Sequence, residues 1–283
     1  MWRLDGVHDV VSARRDDQVV GRAQLVAGNE ARSVELVVDP KAVNDGDIDE
    51  LRVTLLRAAF GLVAVAGGDT VHWWSPGAAA SDAGVAAAAG MTAGRRLLQM
   101  QRPLPTGLPV EADTRAFRPG VDDAAWLAVN NRAFAAHPEQ GGWTLDTLHG
   151  RLAEPWFDAN GFRLHERDGR LAAFCWTKLH TADETPASSP STAPVGEIYV
   201  IGVDPDFQGL GLGRQLTLAG LESISARGIV TGMLYVDAEN VAAVTLYERL
   251  GFTVTRTDVA YTVDVAPSAR AVDEADRAGR PTT

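Results

Sequence analysis

Val203-Asp204-Pro205-Asp206-Phe207-Gln208-Gly209-Leu210-Gly211-Leu212-Gly213-Arg214 joins two segments of different periodicity. The apolar run Glu197-Ile198-Tyr199-Val200-Ile201-Gly202-Val203 predicts a buried strand before it, and Gln215 onward predicts a helix after it. The Gln-x-x-Gly-x-Gly spacing of Gln208, Gly211 and Gly213 lets backbone N–H groups crowd around an anion. The helix start adds its own unpaired N–H groups and positive dipole end. That chemistry suits a pyrophosphate, although Gly-rich turns before helices are common and many bind nothing. Arg214 reads equally as a phosphate partner or a solvated cation. Gly202, inside a strand, predicts a bulge or a close ligand approach, with backbone N–H groups near Gly202 and Val203 as donors to a reacting oxygen. Two side chains can move protons. Glu197 starts the strand and reads either as a base in a cleft or as a solvated carboxylate. Tyr247 reads either as an acid, a phenol of reference pKa about 10, or as a ring packed at helical spacing with Ala243, Leu246 and Leu250.

A second segment narrows these readings. Asn240-x-x-Ala243-x-x-Leu246-Tyr247-Glu248-x-x-Gly251-Phe252 follows another apolar strand, Met233-Leu234-Tyr235-Val236. In this order the two segments resemble the coenzyme A site of the GNAT acetyltransferase superfamily, matching at Gln208, Gly211, Gly213, Asn240, Ala243, Leu246, Tyr247, Gly251 and Phe252. The resemblance implies that the first segment holds the pyrophosphate of CoA and that Tyr247 faces the thioester sulfur. Asn240 is also a natural N-cap.

The elements that must position these residues follow from pattern. The second half predicts strand Thr114–Arg118, helices Asp122–Phe134 and Thr144–Leu152, and strands Gly161–Glu166, Leu171–Leu179 and Glu197–Val203. Helix Arg214–Arg227, strand Thr231–Val236, helix Asn240–Leu250 and strand Thr253–Val263 complete it. Asp168-Gly169 is a hairpin turn. Alternation puts Trp176 and Lys178 on one face of their strand and Cys175 on the other, as a small buried hydrophobe. The first half is a degraded repeat: Val34–Pro40 echoes Tyr199–Pro205, and Gly90-Met91 echoes Gly251-Phe252. Aligned on the Asp-Pro pair, Val43, Gly46, Ile48 and Arg32 stand where Gln208, Gly211, Gly213 and Glu197 stand. Aligned on the Gly-hydrophobe pair, Ala86 stands for Tyr247. This copy is short and is expected to be catalytically dead. The expected division is residues 1–104 for the degenerate GNAT-like domain, 105–112 for a linker, 113–265 for the catalytic domain and 266–283 for a disordered tail. The Arg102–Ala112 stretch holds three prolines and a glycine, and the Ala182–Val195 loop is Ser/Pro/Thr-rich.

Composition sets the outer bounds. With 46% apolar and 22% charged residues over 283, the chain reads as a soluble α/β protein of two domains. It has no membrane-length apolar run and no secretory signal. A net charge of −11 argues against nonspecific nucleic-acid binding. The single Cys175 excludes an internal disulfide and a Cys-based metal site, and fits a reducing cytoplasm. A monomer is expected.

More specific phrases point to one family. Asn130-Asn131-Arg132-Ala133-Phe134, His137-Pro138-Glu139-Gln140-Gly141-Gly142-Trp143, Trp156-Phe157-Asp158, Phe174-x-Trp176-Thr177-Lys178-x-His180 and Gly196-Glu197-Ile198-Tyr199-Val200-x-Gly202-Val203-Asp204-Pro205 resemble the mycothiol synthase family of tandem GNAT enzymes of actinobacteria. The resemblance implies a mixed, mostly antiparallel sheet flanked by helices in each domain. It also implies acetyl transfer from acetyl-CoA, with no metal, to the cysteinyl amine of cysteinyl-glucosaminyl-inositol. Glu197 would then be the base and Tyr247 the acid, with Glu139, Lys178, Glu197 and Tyr235 facing the acceptor. Acetyl-CoA would lie on Ile201, Gly202 and Val203, on Gln208, Gly209, Leu210, Gly211, Leu212, Gly213 and Arg214, and on Asn240, Val241, Ala242, Ala243, Val244 and Thr245. The first domain departs from the family where Lys41-Ala42-Val43-Asn44-Asp45-Gly46 replaces a CoA-like turn. Alternatives on the same fold are acetylation of another small amine or peptide, and a non-catalytic acyl-CoA sensor.

Overall fold

The structure, a computed structural model, describes residues 2–7, 9–27, 31–135, 137, 140–181 and 193–269. Glu139, most of the Ser/Pro/Thr-rich loop and the tail beyond residue 269 lie outside the described residues. The chain forms two compact units, Met1–Leu97 with Thr257–Thr283, and Leu98–Arg256.

In the first unit, strands β1 (Arg3–Val7), β2 (Val10–Arg15), β3 (Gln18–Ala27) and β4 (Arg32–Val38) form an antiparallel meander. Helix α1 (Asp45–Val65) turns Leu51, Leu55, Leu56, Ala59 and Val63 inward, the spacing of one helical face. It leads to β5 (Asp69–Ser75), parallel to β4 through Arg32↔Val71 and Ser33↔His72. Helix α2 (Ala80–Ala89) ends at Gly90, left-handed at φ 90°, and β6 (Thr92–Pro103) follows.

The second unit contains β7 (Arg115–Ala116), α3 (Asp123–Ala133), α4 (Leu145–Leu152), β8 (Phe162–Arg167), β9 (Arg170–His180) and β10 (Val195–Val203). Then come α5 (Leu212–Ser225), β11 (Thr231–Asp237), α6 (Val241–Arg249) and the first residues of β12 (Thr253–Val265). Its strands run in the order β6-β11-β10-β9-β8-β7. One side of this sheet packs Cys175, Ile198, Leu216, Leu234 and Phe252 with α5 and α6. The other packs Trp126, Phe162, Phe174, Trp176 and Val200 with α3 and α4. The predicted elements of this half all occur, displaced by a few residues at their ends. The strand expected over Thr114–Arg118 shortens to Arg115–Ala116, because the Asp122 carboxylate accepts the Arg118 N–H at 2.7 Å and turns the chain into α3. The order β4-α1-β5-α2-β6 repeats as β10-α5-β11-α6-β12, each with one parallel pair, as the internal repeat implies.

The unit boundaries differ from the expected ones. The chain passes between units inside two strands: Leu98–Pro103 of β6 belongs with the second unit, and Thr257–Val265 of β12 belongs with the first. There β12 pairs antiparallel with β5, from Val259↔Ser75 to Val265↔Asp69. Nor is 105–112 a free linker. Leu104 donates its N–H to Val230 at 2.9 Å, Glu111 donates its N–H to Gln215 at 2.8 Å, and Val110 and Ala112 pack on the α5 side. Proline content reports the absence of regular structure, whereas ladder bonds and burial decide which unit holds a segment.

Candidate active site

The turn between β10 and α5 has the open glycine geometry that the proposed anion site requires. Gly209 and Gly211 have φ of 78° and 77°, a region that side-chain-bearing residues avoid. Gly211 is the left-handed N-cap of α5, with no side-chain cap, so the first N–H groups of the helix face outward. A Cβ built at either glycine meets nothing within 4 Å. The first turn of α5 has no acidic residue, and it contains Arg214. Behind the turn, the nearly buried Asp204 accepts the Asp206 N–H at 2.9 Å, and Arg132 of α3 reaches both carboxylates, at 3.2 and 2.8 Å. Asn240 caps α6 by accepting the Ala243 N–H at 3.1 Å. Leu210 and Val241, 50% and 69% exposed, present apolar surface on the two segments expected to hold acetyl-CoA. Open space, outward N–H groups and exposed apolar atoms fit a nucleotide thioester at this end of β10.

β10 and β11 pair only from Gly196↔Gly232 through Glu197↔Met233 to Ile198↔Leu234, although both strands continue. A register shift against β9 falls between Ile198 and Val200. A bulge, one of the two readings of Gly202, therefore lies at Tyr199 instead. Gly202 is small for another reason: a Cβ there would fall 2.7 Å from the Phe174 ring, so the glycine admits an aromatic ring of the core. The bulge and the end of pairing coincide, opening the sheet next to Glu197.

Glu197 is 9% exposed, which removes the solvated reading. It lies opposite Lys178 on β9. The Lys178 ammonium sits over the Trp156 ring at 4.9 Å, beside Tyr199 and Trp176, whose rings lie 5.0 and 5.6 Å from Trp156. Burial raises the Tyr199 phenol above its ordinary range; Glu197 raises it further and Arg151 lowers it. On β11, Tyr235 accepts hydrogen bonds from Gln99 at 2.8 Å and Arg256 at 3.3 Å. The polar turn before α4 is clasped to α3: Asn131 donates to the Trp143 carbonyl at 2.8 Å, and Asn130 donates to the Gln140 carbonyl at 2.8 Å.

Tyr247 packs with the α5-side core, its ring 5.8 Å from Phe252. Burial first, and the nearby Cys175 second, push its phenol well above the ordinary range. Cys175 is fully buried and its thiol is likewise pushed up by burial, as expected of a small hydrophobe. Ile201 and Val203 face the α5-side core. The structure thus gathers Glu197, Lys178 and Tyr199 on the α3/α4 side and sets Tyr247 on the α5/α6 side. Sequence reading gave no role to His180, Gln99 or Arg256. Alternation with Trp176 and Lys178 was a signal for His180, whereas Gln99 and Arg256 enter from strands remote in the chain.

Comparison with known proteins identifies relatives of this chain. The profile of the Acetyltransferase (GNAT) family matches residues 125–252. The chain is 48% identical over 250 residues to the mycothiol acetyltransferase of Thermobispora bispora, covering 87% of this chain and 80% of that protein. It is 46% identical over 250 residues to the mycothiol acetyltransferase of Frankia alni, covering 86% and 74%. Among solved structures, a GCN5-related N-acetyltransferase from Sphaerobacter thermophilus superimposes with a TM-score of 0.70 at 20% identity, covering 94% of this chain and 83% of that one. A tandem GNAT protein from the clavulanic acid biosynthesis pathway gives 0.61 at 17% identity, covering 94% and 84%. These two show the fold, two tandem GNAT units, and the sequence relatives show the family. The chain belongs to the mycothiol acetyltransferase family.

Proposed function

We propose that this chain transfers the acetyl group of acetyl-CoA to the cysteinyl amine of cysteinyl-glucosaminyl-inositol, giving mycothiol. The observation that carries the reading is the buried Glu197 at the point where β10 and β11 part, upstream of the open Gly209–Gly211 turn. Acetyl-CoA supplies an activated acyl group as a thioester. The turn and the α5 N-terminus hold its pyrophosphate by backbone N–H groups and dipole, and Arg214 adds a local positive charge. The strand edge from Tyr199 to Val203, unpaired toward β11, offers backbone donors to the carbonyl oxygen. Glu197 takes the proton of the attacking amine. Tyr247 stays protonated at neutral pH because burial raises its phenol, so it can donate to the departing sulfur. Lys178 and Tyr235 contact the acceptor's hydroxyl groups, and Glu139 belongs to the same proposed set. Burial of the single cysteine fits action in a reducing cytoplasm, and the protein is taken to act as a monomer. The Met1–Leu97 unit is read as a GNAT-like copy without activity, because Arg32 and Ala86 stand where Glu197 and Tyr247 do.

The test is release of CoA thiol from acetyl-CoA with this acceptor, corrected for the acceptor's own thiol. Wild type is expected to turn over. Glu197→Gln and Tyr247→Phe are each expected to lose roughly 10²-fold or more in kcat, with acetyl-CoA affinity retained. Absence of turnover in a wild-type protein that binds acetyl-CoA would sink the reading.

A further inference from the structure

Glu197 has a partner that neither composition nor motif assigns. The His180 Nε2 lies 2.6 Å from the Glu197 Oε2, and both side chains are only 11% exposed. Register explains the meeting. Lys178 stands directly opposite Glu197, and His180 stands opposite Val195, so His180 reaches Glu197 along the diagonal of the antiparallel pair. Lys178, nearer in register, sends its ammonium over Trp156 and leaves the carboxylate to the imidazole. Among the described residues, the titratable or charged groups of the neighbouring elements include Tyr199 of β10 and, on β11, Tyr235 and Asp237, whose carboxylate lies 3.9 Å from the His137 imidazole. Arg151 and Glu154, at the end of α4, act on Tyr199.

We propose that His180 is a positioning residue for the base. Its Nε2–H donates to Oε2 of Glu197, which fixes the carboxylate torsion and leaves Oε1 as the oxygen that meets the amine. An unanchored glutamate samples several rotamers at an entropic cost, and an orientation error at a proton acceptor is paid in rate. The bond sits on two paired strands beside the bulge at Tyr199, so the register that opens the cleft also holds the base in place. Partial burial strengthens the bond and shields it from competing water. This inference deepens the acetyl-transfer reading and rests on it.

Three readouts test it. In proton NMR of the wild-type protein, the imidazole Nε2–H of His180 is expected as a low-field, exchange-protected resonance. That resonance should be absent in His180→Gln and moved upfield in Glu197→Gln. In kinetics, His180→Ala is expected to lose roughly 10- to 100-fold in kcat, with KM for acetyl-CoA within about threefold. His180→Gln, whose amide N–H can reach the same carboxylate oxygen, is expected to recover most of that loss. Thermal melting distinguishes a folding defect, and the wild-type His180 resonance, with its response to Glu197→Gln, carries the test if His180→Ala does not fold. A wild-type kcat in His180→Ala would overturn the proposal, as would a His180 resonance indifferent to Glu197→Gln. If the wild-type protein shows no turnover, the acetyl-transfer reading fails, while the resonance still decides whether His180 holds Glu197.

Discussion

Cys175, Tyr247 and Asp122 are all buried, and their surroundings give them different chemistry. Desolvation keeps the thiol and the phenol protonated, which makes one an apolar filler and suits the other to its proposed role as proton donor. Burial would also raise the Asp122 carboxyl, but hydrogen bonds from Arg115, from the Arg118 side chain and from the Arg118 N–H together outweigh it and hold it well below the usual carboxylate range. A depressed folded-state value stabilises the fold above the unfolded value, about 4, and that stability is lost as pH falls toward the folded value. Asp122 ties β7 to the start of α3, so its protonation loosens the wall of the α3/α4 side. Asp122→Asn is expected to cost roughly 1–3 kcal/mol at neutral pH. It should also flatten the acid loss of stability below pH about 4. Urea unfolding at neutral and acid pH checks this, and parallel losses in both proteins would refute it.

At the scale of elements, helix starts separate the two copies of the repeat. α5 opens on a left-handed glycine with no acidic residue in its first turn, whereas α1 opens with Asp45 and Asp47. Acidic groups suit a helix dipole and repel a phosphate. A methyl group at Gly211 would stand in the open space before the turn and force a side chain to φ 77°, at a cost of about 1–2 kcal/mol. Gly211→Ala is expected to weaken acetyl-CoA binding roughly tenfold, equivalent to about 1.4 kcal/mol, and to lower Tm by a few degrees. Calorimetry and a melting curve measure both; an unchanged Kd would show that the anion does not sit on this turn.

Over the whole molecule, the same chain order is built twice with different consequences. Arg32 occupies the position of Glu197 and pairs with Asp69 at 3.3 Å and Asp9 at 3.5 Å, while Ala86, 1% exposed, fills the Tyr247 position as packing. The first unit therefore retains the helices and strands of the repeat without its proposed phosphate turn or proton-moving groups. Acetyl-CoA is expected to titrate with a stoichiometry of one per chain, and a second site in calorimetry would contradict this. The lone proposed site also explains why Glu197→Gln should leave no residual rate from the other copy.

Element order and the open glycine turn were legible in the sequence because they rest on local chemistry. Glycine conformations at Gly209 and Gly211, the Asn240 cap and the alternation around Trp176 and Lys178 depend on residues within one turn or a few strand positions. Glu197 and Tyr247 were legible as candidates, with burial undecided. Tertiary structure decided what depends on pairing. It placed the bulge at Tyr199, assigned the two halves of β6 and β12 to different units, and brought His180 to Glu197 across 17 residues and Gln99 to Tyr235 across 136. Strand register follows from summed packing and ladder bonds over the sheet, and no window of sequence contains that sum.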